Sequence, residues 1–108
     1  PMPTDPRARR VAELILARPE DDQPLEALAS RVGVSARTLS RLFPAETRFT
    51  FKAWRQRARI VMALSLLGTE LPIKQVAARL GFASAAAFGH AFRKVFGSTP
   101  GQIQRRRP

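Results

Sequence analysis

Residues 73–92, IKQVAARLGFASAAAFGHAF, repeat the pattern of residues 25–43, LEALASRVGVSARTLSRLF. With a shift of 48, Leu25 pairs with Ile73, Leu28 with Val76, Ala29 with Ala77, Arg31 with Arg79, Val32 with Leu80, Gly33 with Gly81 and Val34 with Phe82. One extra residue in the second turn, Ala83, then aligns Ser35 with Ser84, Leu39 with Phe88 and Phe43 with Phe92. Each pairing has a physical reason. Alanine is small where two helices cross closely. Glycine stops a helix in the left-handed conformation. Serine satisfies free backbone N–H groups at the start of the next helix. Each copy therefore predicts a short helix, a glycine turn, a serine cap and a second helix, the helix-turn-helix layout.

The rest of the chain is punctuated in the same way. Asp5-Pro6 reads as an N-cap followed by proline at the first helical position, and Val11, Leu14 and Ile15 give that helix one apolar face up to Arg18-Pro19. Thr50 caps a longer helix through Leu67, closed by Gly68, and Thr99-Pro100 begins a last helical turn or two. No segment alternates with period 2. The expected fold is all-α, with seven helices in two helix-turn-helix subdomains joined by a long central helix. The expected division is 1–49, a linker helix over 50–68, and 69–108. A helix over 50–67 spans about 27 Å at 1.5 Å per residue. Successive major grooves on one face of B-DNA lie about 34 Å apart, so the two second helices are expected to enter adjacent grooves of one face.

Charge points the same way. The chain has 19 Lys+Arg against 8 Asp+Glu, a formal net charge of +11, and sixteen of the cations are arginines. Such an excess calls for a polyanionic partner, nucleic acid first. With 44% hydrophobic residues the chain can also bury a core. The absence of cysteine excludes disulfides and thiolate metal sites, and His90 is the only histidine. No metal, cofactor or catalytic residue is expected. The acidic residues are scattered, and no nucleophile–base pair or phosphate-cradling glycine loop occurs, so an enzyme is not the expected reading. No signal-peptide pattern and no apolar run of membrane-spanning length is present, and a cytoplasmic location is expected. A cationic membrane-surface peptide is the weaker third reading, because the apolar faces are needed for a core and prolines break any long amphipathic helix, so a membrane partner is not expected. Two readings survive: a sequence-specific binder of double-stranded DNA, and a non-specific basic module of architectural or RNA-binding type.

From about Arg7 to Arg106 the chain resembles the DNA-binding domain of the AraC/XylS family of bacterial transcription regulators. The similarity is most specific in Pro72-Ile73, Val76-Ala77, Leu80-Gly81-Phe82, Ser84, Phe88, Phe92-Arg93-Lys94, Phe96-Gly97 and Thr99-Pro100, with Trp54-Arg55, Arg59 and Ala63 in the long helix. The resemblance implies seven helices with two helix-turn-helix units joined by a long helix. It also implies a transcriptional activator near the nucleoid, with RNA polymerase as a partner. Many members carry a separate N-terminal effector or dimerisation domain. Because this chain opens on Pro1, it is expected to be the C-terminal part of such a protein, with a stand-alone domain as the other reading.

Candidate contact residues follow from the repeat and the resemblance together. With Ser35 as N-cap, Ala36, Arg37 and Thr38 form the first turn of the first recognition helix. Arg37, Ser40 and Arg41 lie opposite Leu39, Leu42 and Phe43. One of Arg37 and Arg41 is expected on a base and the other on a phosphate, since arginine binds guanine O6 and N7 bidentately. In the second recognition helix Ala85, Ala86, Ala87, Gly89 and His90 stand where the family often has polar readers. Alanine can touch a thymine methyl but cannot hydrogen-bond a base edge, so close docking is expected there rather than strong direct readout. Ser35, Ser84, Arg93, Lys94, Lys52 and Arg55 are the phosphate candidates. Lys52, Arg55, Gln56 and Arg59 share one side of the long helix, with an Arg59–Glu46 pair as the structural reading. Phe51, Trp54, Ala58, Val61, Leu64 and Leu67 are expected in the core, as is the Phe88, Phe92 and Phe96 stripe. The Arg105–Arg107 run is expected to be a basic end adding non-specific affinity. Two positions depart from the family pattern. Pro44 should end or kink its helix near Leu42–Phe43, and Arg48 stands where glycine is common.

Overall fold

A computed structural model describes residues 1–105. Among these residues the chain is all-α: α1 Pro6–Ala17, α2 Leu25–Val32, α3 Ala36–Thr47, α4 Phe51–Leu67, α5 Ile73–Arg79, α6 Ala85–Phe96 and α7 Pro100–Arg105. No helix among them is long and apolar enough to cross a membrane. The chain divides into two compact units, one from Pro1 to Gln56 and one from Arg57 onward, so the division falls inside α4.

The first unit packs Ala8, Val11, Ala12 and Ile15 of α1, Leu28 and Ala29 of α2, Leu39 and Phe43 of α3, and Trp54 of α4. Asp5 caps α1, accepting from the Arg7 N–H at 2.9 Å and pairing with the Arg7 guanidinium at 3.0 Å. That side-chain hydrogen bond, ahead of the backbone one, lowers the Asp5 carboxyl from 3.8 to about 2. The stabilisation from this cap is therefore complete above the ordinary value and lost only as pH falls through about 2.

Pro44 does not end α3. The helix continues through it to Thr47. Proline has no N–H to give the Ser40 carbonyl, and in a helix interior this costs about 3 kcal/mol or more. The last turn is held from elsewhere. The Thr47 hydroxyl donates to the Phe43 carbonyl at 2.6 Å in the buried interior. Glu46 accepts from the Thr4 and Asp5 N–H groups at 3.1 and 2.9 Å and from the Thr4 hydroxyl at 2.9 Å. Arg48 then takes the left-handed conformation at φ 67, its N–H closing on the Pro44 carbonyl at 3.0 Å. It is the one non-glycine residue with positive φ among the described residues, a strained place for a side chain.

The second unit is built on Ile60, Ala63 and Leu67 of α4, Val76, Ala77 and Leu80, and Phe88, Ala91 and Phe92 of α6. The buried positions thus shift along α4. Trp54 and Arg55 serve the first unit, while Ile60, Ala63 and Leu67 serve the second. No single apolar stripe runs the length of this helix. Val61 and Leu64, expected in the core, are 48% and 42% exposed for that reason. Phe96 is also partly exposed, although its ring lies 4.9 Å from that of Phe92.

Candidate nucleic-acid interface

The two turns predicted from the repeat close with the same hydrogen bonds. Gly33 and Gly81 adopt positive φ of 74 and 86. The Val34 N–H reaches the Ala29 carbonyl at 3.1 Å, and the Phe82 N–H reaches the Ala77 carbonyl at 3.0 Å. Both are the six-to-one bond that ends a helix on a left-handed residue. The Ser35 hydroxyl oxygen then accepts from the Thr38 N–H at 3.1 Å, and that of Ser84 from the Ala87 N–H at 3.0 Å. Both second helices therefore start at a defined residue with a fixed rotation, which decides the side chains each one turns to solvent.

On α3, Leu39 and Phe43 are fully buried, and this face sets the other. Arg37, Ser40 and Arg41 are exposed, while Ala36 and Thr38 are half-buried. The Ser40 hydroxyl donates to the Arg37 carbonyl at 3.0 Å, and the Ser35 and Thr38 hydroxyls share a hydrogen bond of 2.9 Å. The side chains of Arg37 and Arg41 form no hydrogen bond or ion pair with a described residue. Their guanidinium groups are open to an outside acceptor. Each has five N–H donors in a fixed fork that suits a guanine edge or a phosphate.

On α6, Phe88, Ala91 and Phe92 are buried, and the rings of Phe82, Phe88 and Phe92 follow one another at 5.3 and 5.7 Å. Ala85, Ala86, Ala87 and His90 are exposed, and Gly89 is half-buried. A Cβ added at Gly89 would meet no atom within 4 Å, so the packing of the unit does not require glycine there. Arg93 and Lys94 are exposed in the last turn of α6, where cations also suit the helix dipole.

The phosphate candidates on α4 separate. Lys52 is exposed, but Arg55 is buried. Its guanidinium donates to the Gln23 carbonyl at 2.6 Å and to the Asp22 carboxylate at 3.1 Å, and it lies over the Phe51 ring at 4.6 Å. Arg55 thus pins the α1–α2 loop to α4 and is not presented to a phosphate, which corrects the role expected of it. Arg59 is buried too, whereas Gln56 is exposed. The side that these residues share is about 100° wide, broad enough for one edge to face inward and the other outward. Two exposed cations outside the expected set, Arg31 and Arg79, stand at matching places in the last turns of α2 and α5. The repeat register is the signal that singles them out. In the basic end, Arg105 is exposed, and Arg106 and Arg107 lie outside the described residues.

The comparisons with known proteins agree with this geometry. A family model described as a helix-turn-helix domain matches residues 28–106. The transcriptional regulator RipA of Corynebacterium glutamicum is 41% identical over 100 residues, covering 93% of this chain and 30% of RipA. The regulatory protein SoxS of Escherichia coli K12 is 36% identical over 88 residues, covering 79% of this chain and 82% of SoxS. Among solved structures, an AraC-type regulator from Chromobacterium violaceum superposes with a TM-score of 0.88 at 28% identity, covering 94% of this chain and 91% of that one. The DNA-binding domain of AdpA, solved in complex with a target DNA, gives a TM-score of 0.83 at 32% identity, covering 94% and 92%. The chain spans about a third of the length of the first curated relatives it matches.

Proposed function

This chain belongs to the AraC-type helix-turn-helix family of transcriptional regulators, and from that premise we propose that it binds double-stranded DNA sequence-specifically as the DNA-binding domain of a bacterial regulator. The observation that carries this reading is the pair of identically closed turns. Each leads into a serine-capped helix with one face buried and the other exposed, and on α3 the exposed face carries the open guanidinium groups of Arg37 and Arg41. In the proposal α3 and α6 enter adjacent major grooves of one face of the duplex. One of Arg37 and Arg41 takes a guanine edge and the other a phosphate. The methyls of Ala85, Ala86 and Ala87 meet thymine methyls, with His90 donating to a base or phosphate. Lys52, Arg93, Lys94, Arg31 and Arg79, with the capped starts of α3 and α6 at Ser35 and Ser84, hold the backbone. The Rhodococcus relative NphR is a transcriptional activator, which supports activation as the outcome, and RNA polymerase is the partner proposed with it. The length of RipA supports a further domain beside this one, in the proposal an effector or dimerisation domain, and the proposed site of action is the bacterial nucleoid.

Selection from a random duplex library tests the proposal. The expected result is two short blocks about 10 bp apart, the first more sharply defined than the second. Arg37→Ala or Arg41→Ala should cost about 1–3 kcal/mol on the selected duplex if that residue reads a base. A flat preference with steep salt dependence would favour the non-specific module instead.

Gly89 gives a second test with two readouts of opposite sign. Gly89→Ala should raise folding stability by about 0.5–1 kcal/mol, because glycine is costly in a helix interior and the added methyl has open space. The same substitution should weaken binding to the selected duplex, since close docking of α6 leaves no room for that methyl. Thermal unfolding and a binding titration on one preparation read both. Stability rising while affinity stays unchanged would mean that the α6 backbone stands off the duplex.

A further inference from the structure

We infer that residues 1–5 form a strap that positions α3 for reading, with Glu46 as the positioning residue that fastens it; the inference rests on the proposed reading of DNA by α3. The strap is seated at three points. Pro3 is fully buried. The Trp54 indole N–H donates to the Pro1 carbonyl at 2.7 Å. Glu46 takes three donors from the strap: the Thr4 N–H, the Asp5 N–H and the Thr4 hydroxyl.

The place where the strap is fastened gives it a mechanical role. Glu46 lies in the one turn of α3 beyond Pro44, where the helix ladder has lost a bond to Ser40. Left alone, that turn is the part of α3 most prone to fray. It is tied back on the inside by the Thr47–Phe43 hydrogen bond and on the outside by Glu46 and the strap. The Trp54 ring that holds the Pro1 carbonyl also packs at 5.5 Å against Phe43, the largest fully buried side chain of α3. Strap, last turn and anchor are thus one cluster at one end of the helix, and Arg37 projects from the other. Arg37 stands six residues before Phe43, about 9 Å along the axis, so a tilt of about 10° about that anchor displaces it by about 1.5 Å. A recognition side chain has to be held to roughly 0.5 Å to keep its geometry. Contact with the strap therefore governs reading although Glu46 touches no base.

The test uses the whole chain with Glu46→Ala and Glu46→Gln. The amide of E46Q keeps an oxygen for the two strap N–H groups, whereas E46A removes every acceptor. Binding is measured on the selected duplex and a scrambled one, at a temperature where circular dichroism shows both variants fully folded. E46A should lose about tenfold on the selected duplex, with the loss of base preference confined to the block read by α3 and little change on the scrambled duplex. E46Q should stay within about threefold of wild type. Amide hydrogen exchange at residues 45–48 should quicken in E46A and not in E46Q, which reads the coupling without DNA. Unchanged binding by E46A, an equal loss on both duplexes and both blocks, or a fall of E46Q alongside E46A would each overturn the inference. A wild-type chain with no sequence preference would overturn the DNA reading itself, and this is seen before any variant is compared.

Discussion

Phe43→Ala is expected to destabilise the first unit by about 3–5 kcal/mol, most of the stability a small domain possesses. The ring is fully buried and meets Phe51 at 5.3 Å and Trp54 at 5.5 Å, both edge to face. Truncation loses the transfer free energy of the ring and leaves a cavity that the neighbouring aromatics cannot close without abandoning their own contacts. It also loosens the residue whose carbonyl receives the Thr47 hydroxyl, just where Pro44 has weakened α3. The measurement is convenient, because Trp54 is the only tryptophan and lies in this cluster. Its fluorescence during denaturant unfolding follows the first unit. Phe43→Leu, which keeps much of the volume, should cost less than the truncation to alanine. A cost for Phe43→Ala below about 1 kcal/mol would show that the cluster does not support α3.

The second large effect is expected at Arg55. Arg55→Ala should cost about 2–4 kcal/mol, the sum of a charge-assisted bond to the Gln23 carbonyl, a cation–π contact with Phe51 and a buried aliphatic stem. Its ion pair with Asp22 is the smaller part. The Asp22 side chain is 75% exposed, so solvent screens the pair and no buried charge is orphaned when the arginine goes. Asp22→Ala should accordingly cost less than about 1 kcal/mol, and Arg55→Lys should fall between the two because lysine keeps the charge but loses the fork. Equal costs for Arg55→Ala and Asp22→Ala would mean that the ion pair carries the contact. DNA affinity, measured at a temperature where the variant is folded, should change little in Arg55→Ala. A loss there comparable to that of Arg37→Ala would return Arg55 to the phosphate contacts.

The contrast between Arg55 and Lys52 shows where sequence reading stops. Both are cations on the same side of α4, and nothing within one helical turn tells them apart. What separates them is Asp22 and Gln23, more than 30 residues away, brought up by the packing of α1 and α2. The two turns were legible for the opposite reason. Gly33, Ser35, Gly81 and Ser84 act on backbone groups within a few residues, so their chemistry is written locally and written twice. Pro44 obeyed its local rule less than the surrounding fold did, because Thr47, Glu46 and the strap hold the turn that proline weakens. Val61 and Leu64 fall outside the core because α4 serves two cores in succession, and no single apolar period holds along it. The outer faces of α3 and α6 were legible once Leu39, Phe43, Phe88 and Phe92 were recognised as the inner ones.

The unequal outer faces of α3 and α6 have an evolutionary side. On the proposed reading, a promoter base opposite Arg37 or Arg41 is bound by a side chain that tolerates few alternatives. Bases opposite Ala85, Ala86 and Ala87 meet only methyl groups. Most of the information in a target site is then concentrated in one half. Mutations there are purged, whereas the other half can drift among related promoters with little loss of occupancy. A new target needs only one well-specified half to arise by chance, so a regulator with one articulate and one nearly mute reader can recruit genes more easily than one with two demanding readers.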